Sequence, residues 1–462
     1  MRGHLKAATI HRREDNTNRY LYLGKNAYHP SSFVIKYDLP IIDMNDMEGE
    51  VFSQPHRMAL FIHEYIHFLQ DISTRYGLIK ASNLYVSTKE KARVIKESKN
   101  DSFNVPQILD PRKVTSATYL NYNTLPDYLG NGVIDEFKYK KVKVTSYIIT
   151  KKHLIEEVTV YLDIENIGRR KVILGGEILC ESMAYIAEKN YADAHAIKLS
   201  ETSEYPYMLC NKLIEHIYPE LNNDPKSVFL IIDQCLYRYY NPGPHFIHIV
   251  NYLKQKGYCQ KSEAEKYACL AEYFKIKIIE EEDYQVVLNE VLNNIHTCFA
   301  DSGFNETLKW LYILYIRSRN LRTSNPYCFK GFTDSKGLDE SATQIYKHIL
   351  GYPLISNDIY EAVLLVPSNS LTAQEIEAVH PEYFTAVYCL DNVFQNGKKR
   401  SRCLLDDFCR ESEKCTGEKI DNTHCDEPWL KYQDAVNNNK SGLCAFATLW
   451  KHWGLENHYP AR

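Results

Sequence analysis

The sequence, 462 residues long, has no uninterrupted apolar run of about 18 residues, which argues against a membrane-spanning helix. The segment from Met1 to Arg13 is polar and charged with no apolar centre, so it does not read as a secretory signal. Neither sign of charge dominates. Lys and Arg number 55 against 59 Asp and Glu, and the net charge of −4 argues against a broadly basic nucleic-acid binder. The one compact basic cluster along the chain, Lys398, Lys399, Arg400 and Arg402, reads as a solvated loop. There is no Gly-rich phosphate loop, no GxGxxG and no internal repeat. The thirteen cysteines are odd in number and come with no export signal. They favour a reducing cytoplasm and free or metal-bound thiols over a disulfide framework.

What is present is an ordinary globular composition, 44% apolar and 25% charged, on a chain long enough for two to four packed units. The 36 tyrosines serve cores and binding surfaces alike, so they select no function. Strand signals open the chain at Arg19 to Leu23 and Ser32 to Asp38. A helix is predicted from Pro55 to Tyr76, with proline in its first turn and Gly77 as its stop. Mixed, partly helical text follows from Lys80 to Pro111. Strands are expected at Lys141–Ile149, Glu157–Asp163 and Lys171–Leu174, and a second apolar helix from Glu177 to Ala194. Further helices are expected at Ser227–Tyr240, Ser262–Ile279, Asp283–Phe299 and Asn305–Ser318, with Asn241-Pro242-Gly243-Pro244 as a breaker. The fold class is α+β and predominantly helical. Its expected segments are 1–54 (strand-rich), 55–200 (a core with a strand-rich insert at 84–174), 201–350 (helical) and 351–462 (irregular, with cysteines).

The helix from Pro55 is apolar on nearly every side, which marks it as buried. The polar residues in its middle are His63, Glu64 and His67, in the order His63-Glu64-Tyr65-Ile66-His67. Residues four apart share a helix face, so both imidazoles can reach one ion. Glu64, beside the open position of that ion, can take a proton from a zinc-bound water and pass it to a leaving amine. Two histidines and a glutamate in apolar surroundings are expensive unless paired or metal-bound. A third ligand is required. Glu177, Glu181 and Glu188 share a face of the second apolar helix. Glu181, the middle one, is followed by small and apolar residues that let the helix press close. Glu177, Glu188 and Asp71 remain as alternative ligands or as groups behind the ligands.

His63 to His67 followed by Glu181-Ser182-Met183-Ala184-Tyr185 resembles the gluzincin branch of the zincin metallopeptidases, with HExxH on one helix and a glutamate on a second. The resemblance implies His63, His67 and Glu181 as Zn2+ ligands, Glu64 as general base, and a helix pair beneath a small sheet. Asp71, four residues after His67, is similar to the aspartate of thermolysin-like members. About 114 residues separate His67 from Glu181, more than in many gluzincins, and the insert between them is expected to form part of a cleft or lid. The metzincin pattern does not fit, because no histidine follows His67 before His153.

The implied activity is zinc-dependent hydrolysis of a protein or peptide substrate, with neither nucleic acid nor membrane as partner. A Tyr or His should stabilise the oxyanion, with Tyr185, His245 and His248 as candidates. His245 and His248 also fit a structural corner. Cys403, Cys409, Cys415, Cys425 and Cys444 could hold a second, structural zinc, although their spacing is not the C-x2-C of common zinc modules and core thiols fit as well. Two other readings stay open: a metal-dependent hydrolase of a non-peptide amide or ester, and a helical interaction protein with an inactive HExxH.

Overall fold

A helix that is apolar on every side has to lie inside, and residues 55–73 do: Phe61, Ile62, Tyr65, Ile66, Phe68 and Leu69 are fully buried. The computed structural model describes residues 27–37, 51–98, 100–109, 138–150, 153–164, 168–199, 204–278, 284–357, 362–367, 370–397, 405, 427, 429–430 and 444–461. In chain order the main elements are β1 (Ala27–His29), β2 (Val34–Tyr37), α1 (Pro55–Ser73) and α2 (Arg75–Lys96). Next come β3 (Lys138–Thr150), β4 (His153–Ile164), β5 (Gly168–Ile173), α3 (Gly176–Ala194) and α4 (Leu209–Ile217). The helices α5 (Pro225–Arg238), α6 (Pro242–Gln255), α7 (Glu263–Ile278), α8 (Tyr284–Phe299) and α9 (Asn305–Ser324) follow. The chain continues through β6 (Tyr352–Asn357), β7 (Ala362–Leu365), α10 (Thr385–Asn396) and α11 (Ala445–His452).

The architecture is α+β and predominantly helical. One sheet has the order β1-β2-β6-β7. β1 and β2 are antiparallel, with Tyr28 opposite Ile35, and β2 runs parallel to β6, with Ile35 opposite Ile355. A second sheet is the antiparallel meander β3-β4-β5. Its inward row is Val142, Val160 and Val172; the neighbouring outward row is Lys141, Tyr161 and Lys171. This alternation is what a half-buried sheet requires. Lys138, Lys143 and Arg169 share the outward face with Asp163 and Glu157, which pair with Arg169 and Lys171. One continuous apolar core runs from Tyr28 to Leu455, and the described parts of segments 1–54, 55–200, 201–350 and 351–462 share it.

Several boundaries differ from the sequence expectation. α1 ends at Ser73, not Tyr76, because Thr74 adopts extended backbone and breaks the run. Its hydroxyl donates to Gln70 O at 2.6 Å and accepts from Gly77 N at 3.0 Å, so one side chain closes α1 and caps α2. Gly77 is therefore inside the first turn of α2 and is not a stop. It is glycine because a Cβ there would fall 2.3 Å from Gln70 O. α2 then carries the partly helical text regularly to Lys96, so the insert at 84–174 begins as helix. The expected breaker at residues 241–244 does follow the end of α5 at Arg238, and the same residues also start the next helix. Pro242 occupies the first turn of α6, where a missing N–H costs nothing, and Gly243 lies where a Cβ would meet Leu174 O at 1.9 Å. α9 extends to Ser324, past the expected Ser318. The region after residue 350 is less irregular than expected, since it supplies β6, β7, α10 and α11. Arg19 to Leu23 and the basic cluster at Lys398, Lys399, Arg400 and Arg402 lie outside the described residues. No helix among the described residues is long and apolar enough to cross a membrane.

Candidate metal centre

α1 and α3 pack side by side and bring the polar residues of their buried faces together. His63 and His67 are one helical turn apart on α1, with ring centroids 5.1 Å apart. Opposite them, Glu181 on α3 places Oε2 3.8 Å from His63 Nε2 and 3.6 Å from His67 Nε2. One ligand atom from each of the three residues lies within 4.8 Å of the others, so the group could hold a metal ion. The two N···O separations are too long for hydrogen bonds. They sit a little above the ~3.4 Å edge of a tetrahedron with zinc–ligand bonds near 2.1 Å. Side-chain exposure rises from 11% at His63 and 13% at His67 to 21% at Glu181, so the group opens to solvent on the Glu181 side.

Both histidines are held from behind. His63 Nδ1 lies 3.0 Å from Glu188 Oε2. His67 Nδ1 lies 2.9 Å from Gln70 Oε1, and Gln70 Nε2 donates to Cys180 O at 3.1 Å. Glu64 is 6% exposed and accepts from the backbone N–H of Tyr28 at 2.6 Å. Tyr207 sets its ring against His63, centroids 5.9 Å apart, and Tyr185 packs on Tyr207 at 6.2 Å.

The electrostatics are those of a site with surplus negative charge. Glu64, Glu181 and Glu188 converge on two imidazoles. Burial lowers the His63 pKa, but the Glu181 and Glu188 carboxylates outweigh it and hold the ring well above the ordinary value. Burial also lowers His67, and Glu181 reverses the shift. Burial raises the Glu181 carboxyl, yet the imidazoles of His67 and His63 hold it well below the usual range. Glu64 moves upward: its burial outweighs the lowering by His63, His67 and the Tyr28 N–H. Without a cation, protonated imidazoles balance part of this negative charge. Two imidazoles and a carboxylate are a donor set that fits zinc with a position left open.

The remaining residues singled out in the sequence fall elsewhere. Glu177 pairs with Lys80 across α2 and α3, not with the histidines. Asp71 faces the β1–β2 turn, where its Oδ2 accepts from Tyr28 Oη at 3.0 Å and Ser31 N at 2.5 Å. Glu188 stands behind His63, not among the ligands. His245 belongs to the first turn of α6 and lies flat on Tyr239, ring centroids 3.4 Å apart. His248 faces Glu156 at 3.8 Å. Neither belongs to the metal-ligand group. Cys444 caps α11, its Sγ accepting from Ala447 N at 3.5 Å; Cys403, Cys409, Cys415 and Cys425 lie outside the described residues. Cys210 and Cys298 are buried free thiols, and burial pushes each up to about 12.

Gln70, Tyr207 and Tyr28 were not singled out in the sequence. Gln70 had a signal, three residues after His67 and hence on its helix face. The two tyrosines had none. Comparison with family models, curated proteins and solved structures finds no match for this chain.

Proposed function

We propose that the chain is a zinc-dependent metallopeptidase. The observation that carries this reading is the convergence of His63, His67 and Glu181 beside a buried carboxylate, Glu64, whose proton affinity is raised. A bound zinc ion would supply a Lewis acid for the scissile carbonyl and a water of lowered pKa. The protein's own part is proton handling and positioning. Glu64 sits one residue from the first ligand and holds a proton more tightly than an exposed glutamate does. That suits a group which takes a proton from water and gives it to the departing amine near neutral pH. Tyr28 N–H fixes one of its oxygens. The other ligand helix presents Glu181 from the solvent side, where a substrate chain enters. Tyr207, whose ring lies against His63, and Tyr185, packed on Tyr207, are the tyrosines near the site that could supply a hydroxyl to a developing oxyanion.

Zinc analysis and a peptide-library digestion, each on wild type and Glu64→Gln, test the reading. Bound zinc in both and cleavage only in wild type supports a peptidase. Bound zinc with cleavage of small esters or amides but no peptides points to the non-peptide hydrolase. Absence of zinc leaves an interaction protein with an inactive motif.

A further inference from the structure

We infer that Gln70 is a positioning residue for the metal centre, fixing His67 in the tautomer that offers Nε2 to a cation and tying that ring to the backbone beside Glu181. This rests on the metal-binding reading of the site. The case begins at Cys180. A backbone carbonyl can only accept, so the Gln70 group 3.1 Å from Cys180 O must be its NH2. The polarity of the amide follows, and Oε1 is the atom that faces His67 Nδ1 at 2.9 Å. That oxygen also only accepts, so Nδ1 carries the hydrogen. In a neutral imidazole the other nitrogen is then a bare lone pair, and it is Nε2 that points toward Glu181.

Gln70 is only 2% exposed, so water is poorly placed to replace either bond. Turning the amide over would set oxygen against oxygen at Cys180. The same side chain thereby joins two ligands: His67 through its ring, and Glu181 through the carbonyl of the preceding residue. His63 is fixed differently, by the Glu188 carboxylate. A neutral amide behind His67 achieves the same orientation without adding a further negative charge to a site that already holds Glu64, Glu181 and Glu188. A glutamine that merely bridged the helices would leave the ring free to choose its tautomer.

The test uses the full chain labelled with nitrogen-15 at histidine. In alkaline, metal-free buffer the rings are neutral, and their nitrogen shifts distinguish the two tautomers. His67 is expected as the Nδ1–H form in wild type and as a mixture or the Nε2–H form in Gln70→Leu. Gln70→Glu keeps an acceptor against Nδ1 and should keep the wild-type tautomer. In Co2+ titrations against a chelator, Gln70→Leu should bind about 10–100-fold more weakly than wild type, with Gln70→Glu in between. An Nε2–H form in wild type overturns the inference. So does an unchanged tautomer in Gln70→Leu that is folded by circular dichroism. Failure of wild type to bind Co2+ defeats the metal reading instead, while the tautomer result still decides whether Gln70 sets the ring. Should Gln70→Leu not fold, Gln70→Met, an unbranched side chain of the same length without the acceptor, takes its place with the same expected change of tautomer.

Discussion

The backbone N–H of Tyr28 donates to Glu64 Oε2 at 2.6 Å, so the outermost strand of the four-stranded sheet fixes the carboxylate on the ligand helix. The Tyr28 hydroxyl reaches Asp71, seven positions further along α1, so one residue pins β1 to this helix twice. Glu64→Gln keeps an oxygen for the Tyr28 N–H and removes only the proton acceptor. Peptide hydrolysis should fall by about 10²–10⁴-fold while zinc content stays at the wild-type level. Glu64→Ala also orphans the buried Tyr28 N–H and should cost a further ~1–3 kcal/mol of stability. Rates with zinc analysis, and urea denaturation, measure the two effects separately. Equal activity in Glu64→Gln would remove Glu64 from the reaction.

Asp71 gives the fold a pH dependence of unusual sign. Burial pushes its carboxyl up to about 6, against the lowering by Lys80, Ser31 N and the Tyr28 hydroxyl. The folded state therefore holds this proton more tightly than the unfolded chain does. Its contribution is neutral below the unfolded value near 4 and becomes unfavourable as pH rises toward 6. Above that it reaches about 3 kcal/mol. Asp71→Asn keeps an oxygen for both donors without the charge. The difference in unfolding free energy between this variant and wild type should shift in the variant's favour from pH 4 to pH 7. A difference that does not change with pH would refute the assignment.

Metal and protons should compete for the two histidines. In the metal-free site His63 and His67 hold protons above the ordinary imidazole range, because Glu181 and Glu188 outweigh burial at the first and Glu181 does so at the second. Binding a cation must expel those protons. Apparent zinc affinity should therefore rise with pH through neutrality and level off once both rings are neutral. Calorimetry at one pH in two buffers of different ionisation enthalpy should show net proton release. His63→Ala and His67→Ala should abolish stoichiometric zinc, and Glu188→Gln should weaken it about 10–100-fold. A pH-independent affinity would mean that these rings are not the ligands.

The chemistry of the site was more legible in the sequence than its surroundings. Residues 63, 64 and 67 announce themselves because polar groups in an apolar helix demand a partner, and helical spacing alone puts them on one face. Glu181 could be separated from Glu177 and Glu188 only loosely, since all three share a face of α3. What distinguishes them is Lys80 against the first and His63 Nδ1 against the last, contacts made by residues far away in the chain. The meander β3-β4-β5 follows local alternation and was readable. The pairing of Ile35 with Ile355 was not, because nothing local in either strand names its partner. Thr74 shows the same limit at short range. Its extended backbone breaks the helix where propensity alone runs straight through, and the glycine at 77 leaves room for the close approach to Gln70 O that follows.

The far end of the ligand helix depends on a buried ion pair. Arg322 and Asp233 are both fully buried, joined by two hydrogen bonds of 2.6 Å. Arg322 also donates to Ser73 Oγ at 3.2 Å and lies 4.1 Å over the Phe329 ring, while Ser318 Oγ donates to Ile72 O at 2.6 Å. Helix α9 thus holds the last turn of α1 in place. Removing one charge strands the other without water, so Arg322→Met or Asp233→Leu alone should cost about 3–5 kcal/mol. Removing both replaces two desolvated charges with apolar volume, and the double variant should recover most of that loss. Urea unfolding free energies for wild type, the two single variants and the double variant form a closed cycle. If the double variant is as unstable as the sum of the singles, the pair is not coupled and Arg322 acts through Ser73 and Phe329 alone.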